Sequence, residues 1–229
     1  MKQMKWIMVP LLWLVGSCSA LAQADQPSRT VLVGSPQLHA ERDDAALDAQ
    51  RERIALQILL RSVEKQIVSA ADAMPADKYG FAPTDGEFKG VRTFGQQVKH
   101  LAATNHILAA AALGEEPPTD TGDEVGPEAI RTKAEILDYL NGSFARLGKA
   151  IDAIGDKNVG IKSSPISPLR ANVATRLTLT VEALIHAFDH YGQMVEYLRM
   201  NGVVPPASLN LDPPKSAMAK RLWGPAPIS

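Results

Sequence analysis

Residues 183–199 read ALIHAFDHYGQMVEYLR, and this stretch indicates both the fold of the chain and its chemistry. The apolar residues in it that recur at helical spacing are Leu184, Phe188, Val195 and Leu198. His186 and His190 lie four residues apart, and side chains so placed share one face of a helix. The stretch therefore predicts an amphipathic helix whose two imidazoles can bind a single metal ion.

Three earlier segments have the same helical periodicity. The predicted helices span 43–74, 94–113, 127–155 and 169–200. Thr93 and Gln96 have the capping-box pattern at the start of the second helix, and Pro127 suits the first turn of the third. Gly114 and Gly202 mark the ends of the second and fourth helices. Because no run has strand periodicity, we expect an all-α fold, a four-helix up-and-down bundle whose loops are long enough to permit a crossover.

The first 24 residues have the composition of an export signal. Lys2 and Lys5 form a basic start, and an apolar core of about ten residues follows, shorter than the roughly 20 that span a bilayer. A small-x-small pattern predicts cleavage after Ala24 and a periplasmic or secreted protein. The alternative is a lipoprotein anchored through Cys18, which ends a lipobox-like VGSC. In either case no cysteine thiol remains, so a metal site must use nitrogen and oxygen ligands.

The rest of the chain is expected to form one domain. Residues 25–42 are predicted to be an exposed lead-in, 43–208 the bundle and 209–229 an irregular tail. The chain has 24 basic and 25 acidic residues, and removing Lys2 and Lys5 with the signal leaves 22 against 25. No basic stripe indicates nucleic-acid binding, and no later segment has the length and apolarity of a membrane span.

His100 is the candidate third ligand, because four-helix bundles build metal sites from inward side chains on facing helices. His106 lies six residues later, a rotation of roughly 240° on a regular helix, so it is expected on a different face, either a wetter one or the edge of the bundle. Spacing alone leaves open that these are structural histidines whose ring nitrogens are satisfied by other groups. Ala187 follows His186, so the HExxH pattern of zinc proteases is absent.

Several short motifs, taken in order, resemble the DinB-like family over about residues 52–208. They are VRTFGQQVKH at 91–100, HxxxHYGQ at 186–193, YLR at 197–199 and PPAS at 205–208. Members of that family are four-helix bundles in which three histidines hold a divalent metal, commonly zinc or nickel. One of these histidines lies on the second helix and two, spaced by four, on the last. The resemblance therefore implies a DinB/YfiT-like fold with a metal triad of His100, His186 and His190.

Other polar residues are candidates for roles beside the triad. Gln193, three residues past His190, could hydrogen-bond a ring nitrogen or a metal-bound water; the alternative is an ordinary polar helix residue. Asp189 points about 100° away from His190 and is expected at the surface. Further candidate pocket groups are Tyr79, Tyr191 and Arg199.

Two functions are consistent with these patterns. The resemblance implies a metal-dependent hydrolase or transferase acting on a small molecule, since relatives include thiol-dependent transferases and isomerases. An export signal argues against cytosolic thiol cofactors for this chain. The alternative is a non-catalytic metal- or ligand-binding helical bundle, because no base or nucleophile accompanies the histidines in sequence. No catalytic residue is assigned, and the resemblance also implies a homodimer.

Overall fold

Four long helices make up most of the chain that the computed structural model describes, which is residues 36–118, 121–155 and 174–209. They are α1 (Pro36–Ala73), α2 (Phe94–Leu113), α3 (Lys133–Asp152) and α4 (Arg176–Met200), followed by the one-turn α5 (Pro206–Leu209). The predicted all-α four-helix bundle is confirmed. The predicted signal peptide with Cys18, the lead-in up to residue 35 and the tail from residue 210 lie outside the described residues.

Hydrogen bonds and ion pairs between the helices show the direction of each one. The Gln57 amide on α1 donates to the Gly148 carbonyl on α3 at 3.0 Å, and Lys133 at the start of α3 pairs with Asp72 at the end of α1. α1 and α3 are therefore antiparallel. Arg176 at the start of α4 donates to the carbonyl of Ala112 at the end of α2, so α2 and α4 are antiparallel too.

α2 and α3, in contrast, run in the same direction. Gly95 near the start of α2 packs beside Ile136 near the start of α3. At the other end, Arg146 of α3 pairs with Glu115, just after α2, at 2.6 Å. The connection between α2 and α3 must therefore return along the length of the bundle, which is the crossover that the loop lengths permit. We call residues 114–132 the crossover loop.

The predicted bounds of α2 are confirmed, and local capping explains them. The Thr93 hydroxyl accepts from the Gln96 amide N–H while the Gln96 side chain accepts from the Thr93 N–H. Gly114 ends the helix with φ +75°, the left-handed conformation that favours glycine. Met200 ends α4 as predicted, and Gly202 follows it with φ +72°.

The predicted starts of the other three helices are wrong. α1 begins at Pro36 instead of 43, because no helix breaker interrupts the residues between and proline suits the first turn. α3 begins at Lys133 instead of 127, because Thr132 and Glu135 form a capping box. α4 begins at Arg176, capped by Thr175; of the predicted start at 169, residues 169–173 lie outside the described part.

The core is built mainly from alanine and leucine side chains, and the residues that α4 contributes correct its predicted inward face. Ala187 is fully buried whereas Phe188 is 44% exposed, so the helix is rotated relative to the stripe expected from sequence. The buried face of α4 consists of Leu179, Thr180, Ala183, Leu184, Ala187, His190, Met194, Tyr197 and Leu198. None of the described helices has the length and apolarity that crossing a membrane requires.

Candidate metal centre

The three predicted metal ligands lie together between α2 and α4. The Nε2 atom of His186 is 3.2 Å from Nε2 of His100 and 2.9 Å from Nε2 of His190. One ligand atom from each residue lies within 4.8 Å of the other two. Two nitrogens bound at 2.0–2.1 Å to a tetrahedral ion would be separated by about 3.3 Å. The spacing of the rings therefore fits a shared divalent ion.

A carbonyl oxygen orients the His100 ring. His100 Nδ1 donates to the backbone carbonyl of Glu124 at 2.7 Å, and a carbonyl can only accept, so this nitrogen carries the proton. Nε2 of the neutral ring then presents a lone pair towards His186 and His190. The Nδ1 atoms of those two histidines are buried and have no hydrogen-bond partner among the described residues.

The crossover loop supplies that carbonyl from a tightly constrained conformation. Asp123 and Glu124 have φ values of +47° and +72°, which non-glycine residues rarely adopt. Gly126 has φ +78°, and a Cβ there would lie 3.2 Å from both Cβ and the carbonyl oxygen of Lys99. The loop therefore sits directly on α2, one residue before His100, and only glycine fits at this contact. The Glu124 carboxylate is 4.0 Å from His100 Nδ1.

Burial keeps the three imidazoles neutral. Burial, with a smaller contribution from the neighbouring histidines, lowers the pKa of His186 to about 4 and that of His190 to about 3. Burial also lowers the pKa of His100, in opposition to its hydrogen bond with Glu124. The positive charge of Arg92 makes a smaller contribution in the same direction at all three rings. Neutral imidazole is the form that binds metal.

A glutamine pair joins α2 and α4 one turn from the histidines. Gln97 Nε2 donates to Gln193 Oε1 at 2.6 Å, and Gln193 Nε2 donates to Asp189 Oδ2 at 3.1 Å. The amide of Gln193 is thus engaged with these two side chains rather than with a ring nitrogen. A contact between Gln193 and a metal-bound water stays a prediction. Asp189 is exposed, as expected.

The remaining candidates from sequence lie away from the triad or have structural partners. The His106 ring stacks 4.9 Å from that of Tyr139 on α3, on a different face from His100, as predicted. The Tyr79 hydroxyl is buried and donates to the Ala71 carbonyl at 2.7 Å, and burial raises its pKa. Arg199 pairs with a glutamate three residues before it. Tyr191 is partly buried against the core.

Sequence reasoning missed three residues beside the triad: Arg92, Gln97 and Glu124. Gln97 had a detectable signal, because it lies one turn before His100 on a segment that the sequence predicts to be helical. Glu124 had none, since its backbone carbonyl acts and any residue has one. Arg92 directly precedes the N-cap of α2 and lines a cavity of about 630 Å³ that also borders Gln97 and Gln193.

The fold and the site together define a class of protein, a helical bundle in which three histidines from two helices are positioned to hold a metal ion. The sequence profile of the DinB superfamily matches residues 59–194, more than half of the chain and a range that includes all three histidines. The chain belongs to the DinB superfamily. A search of curated proteins found no match.

Proposed function

We propose that this protein binds a divalent metal ion through His100, His186 and His190 and is a metal-dependent hydrolase or transferase acting on a small molecule. The convergence of three Nε2 atoms, two of them 2.9 Å apart, carries the proposal. Three neutral imidazoles can supply lone pairs to one ion. The ring nitrogens suit both zinc and nickel, and we propose one of these two.

A divalent ion with three protein ligands keeps positions open for water or substrate, which it polarises. The chain's own residues would prepare that chemistry. The Glu124 carbonyl fixes the tautomer and orientation of His100. The hydrogen bond between Gln97 and Gln193 holds α2 and α4 in register beside the ligands. Burial of His190 limits the access of water to the inner side of the site.

Elemental analysis of the untagged, purified protein tests metal binding. We expect close to one zinc or nickel ion per chain, and loss of that ion in His190→Ala. The matched control is His106→Ala, which removes a half-buried histidine of α2 outside the triad and should leave metal content unchanged. Protein that binds no ion even after reconstitution with zinc and with nickel would overturn the proposal.

Turnover is tested separately with a panel of esters, amides and thiol acceptors. A hydrolase or transferase should act on at least one class, and the rate should disappear in His190→Ala. Stoichiometric metal without turnover across a broad panel would instead support a non-catalytic metal-binding bundle. That alternative is favoured by the triad's composition, since no carboxylate joins the three histidines within ligand distance among the described residues.

We propose in addition that the protein is exported to the periplasm or secreted. The basic start and short apolar core of residues 1–24 support this. Mass spectrometry of the processed protein should find Asp25 as its first residue. An acylated N-terminal Cys18 would instead show a membrane-anchored lipoprotein.

A homodimer is also proposed, as the family resemblance implies. Large apolar side chains on the neighbouring helices α1 and α4 are 44–66% exposed and support it: Ile54, Ile58, Leu59, Ile185 and Phe188. Light scattering coupled to gel filtration should give twice the mass of one chain. Replacing Ile58 and Ile185 by glutamate should yield the monomer if these faces meet.

A further inference from the structure

A cavity of about 630 Å³ opens beside the triad, where α2 begins and α4 ends. Gln97 and Gln193 border it, and these residues lie three positions from His100 and His190 respectively. Since three residues are nearly one helical turn, the cavity and the metal centre are neighbouring parts of one site. A volume of this size suits a small organic molecule.

The lining of the cavity has an apolar part and a single uncompensated charge. Phe88, Val91 and Met200 contribute exposed apolar surface. Glu196 also lines the cavity, but its carboxylate lies 3.4 Å from the Arg199 guanidinium, which offsets its charge.

Arg92 is the remaining charged group of the lining. Within the described part of the chain, no carboxylate lies within 4.0 Å of its guanidinium and no side-chain hydrogen bond engages it. Its backbone is held in place, because the Tyr197 hydroxyl donates to the Arg92 carbonyl at 3.1 Å and Thr93 caps α2 immediately after it.

We propose that this cavity binds a small molecule with an oxyanion on an apolar body, and that Arg92 is the residue that selects the oxyanion. A guanidinium presents paired N–H donors that match a carboxylate or phosphate. The apolar surface of Phe88 and Met200 would contact the body of the ligand. This inference rests on the proposed function, because the ligand that it names would bind beside the proposed metal centre, as part of the same site.

Calorimetric titration of the purified, metal-loaded protein with three probes tests this assignment. Phenylacetate and phenyl phosphate carry the two oxyanions, and phenylacetamide is their neutral counterpart. We expect at least one anion to bind about tenfold or more tightly than the amide, and the better anion identifies the oxyanion class. Arg92→Gln should abolish the difference, whereas Arg92→Lys should retain part of it because the charge remains.

The matched control is Arg51→Gln, which removes an exposed arginine of α1 and should leave the preference unchanged. Metal content is measured on each variant, and Arg92→Gln should keep it. Equal binding of anion and amide, or an anion preference that survives in Arg92→Gln, overturns the assignment even if the metal is present. An Arg92-dependent preference in protein that binds no metal supports the anion site and overturns the metal function instead.

Discussion

At the scale of single residues, the candidate centre depends on how His100 is held. His186 and His190 are one turn apart on the same helix, so the helix itself fixes their separation. His100 comes from another helix, and its ring is oriented by a carbonyl of the crossover loop. The pairing of His186 with His190 on α4 can be predicted from their spacing in the sequence. The carbonyl that orients His100 cannot, because a backbone carbonyl leaves no residue-specific pattern.

Gly126→Ala is expected to weaken metal binding without touching a ligand. The added methyl group would meet Lys99 at 3.2 Å, and φ +78° is unfavourable for alanine. Displacing the loop would move the Glu124 carbonyl away from His100, and loss of such an outer contact typically costs 10–100-fold in metal affinity. Competition with a chromophoric chelator measures the metal affinity of each variant. Gly142→Ala is the control, since a Cβ at that helical position meets nothing within 4 Å; equal affinities in both variants would contradict the prediction.

The triad should also make the metal-free protein sensitive to acid. The folded pKa values of His186 and His190, about 4 and 3, lie below the ordinary value of 6.5. Between pH 6.5 and the folded pKa values, the unfolded chain binds more protons than the folded protein does. The contribution of these histidines to stability is therefore full above about pH 7 and falls as the pH drops below 6.5. Urea unfolding should show a loss on the order of 2 kcal/mol between pH 7 and about pH 4, with His186 counted at a discount because it is only partly buried. A His186→Asn, His190→Asn double variant should show a clearly shallower dependence.

At the scale of elements, N-capping explains where prediction succeeded and where it failed. Thr93 with Gln96 was recognised, and α2 was predicted at its observed bounds. Thr132 and Glu135 form the same capping box at the observed start of α3, whereas Pro127 predicted a start that is six residues too early. The error has a physical origin. The first turn of a helix merely tolerates proline, whereas the two reciprocal hydrogen bonds of a capping box satisfy N–H groups that would otherwise be free.

Thr132→Ala should lower the free energy of unfolding by about 1 kcal/mol, because the Glu135 N–H loses its acceptor. Thr132→Ser keeps the hydroxyl and should stay close to the parent protein. Backbone N–H donors of Thr132 and Arg131 lower the pKa of Glu135 from its ordinary 4.5 to about 2. The stabilising contribution of this carboxylate should therefore be full above about pH 4.5 and be lost progressively as pH falls towards 2. Chemical denaturation of the three proteins measures the differences; a destabilised serine variant would contradict a capping role.

At the scale of the whole molecule, a bound ion should stabilise the bundle. An ion that binds only the folded state adds about 2.7 kcal/mol when its free concentration is 100 times its Kd, which corresponds to roughly 5–10 °C in Tm for a domain of this size. Thermal unfolding with and without a chelator checks the shift. His106→Ala should keep the chelator effect and His190→Ala should lose it; an unchanged Tm on metal removal in the parent protein would contradict the prediction.

Periodicity predicted the helical class of the molecule and the approximate positions of its helices, but not the direction of α3 or the rotation of each helix about its axis. The direction of α3 depends on which faces of all four helices bury together, and no local pattern encodes that. Phe188 illustrates the rotation: its apolar side chain predicted an inward position, yet Phe188 is 44% exposed and its neighbour Ala187 is fully buried. Both faces of α4 have helical periodicity, and tertiary packing determines which of them is buried.

The crossover has a kinetic consequence. His100 and His186 are 86 residues apart in sequence, and the whole of α3 lies between them. An ion shared by both would act as a reversible cross-link that closes a long loop of chain, as a disulfide does in chains that have cysteine pairs. Contacts of such long range form late in folding. The ion would therefore bind only after the bundle has assembled, and it would act chiefly by lowering the rate of unfolding.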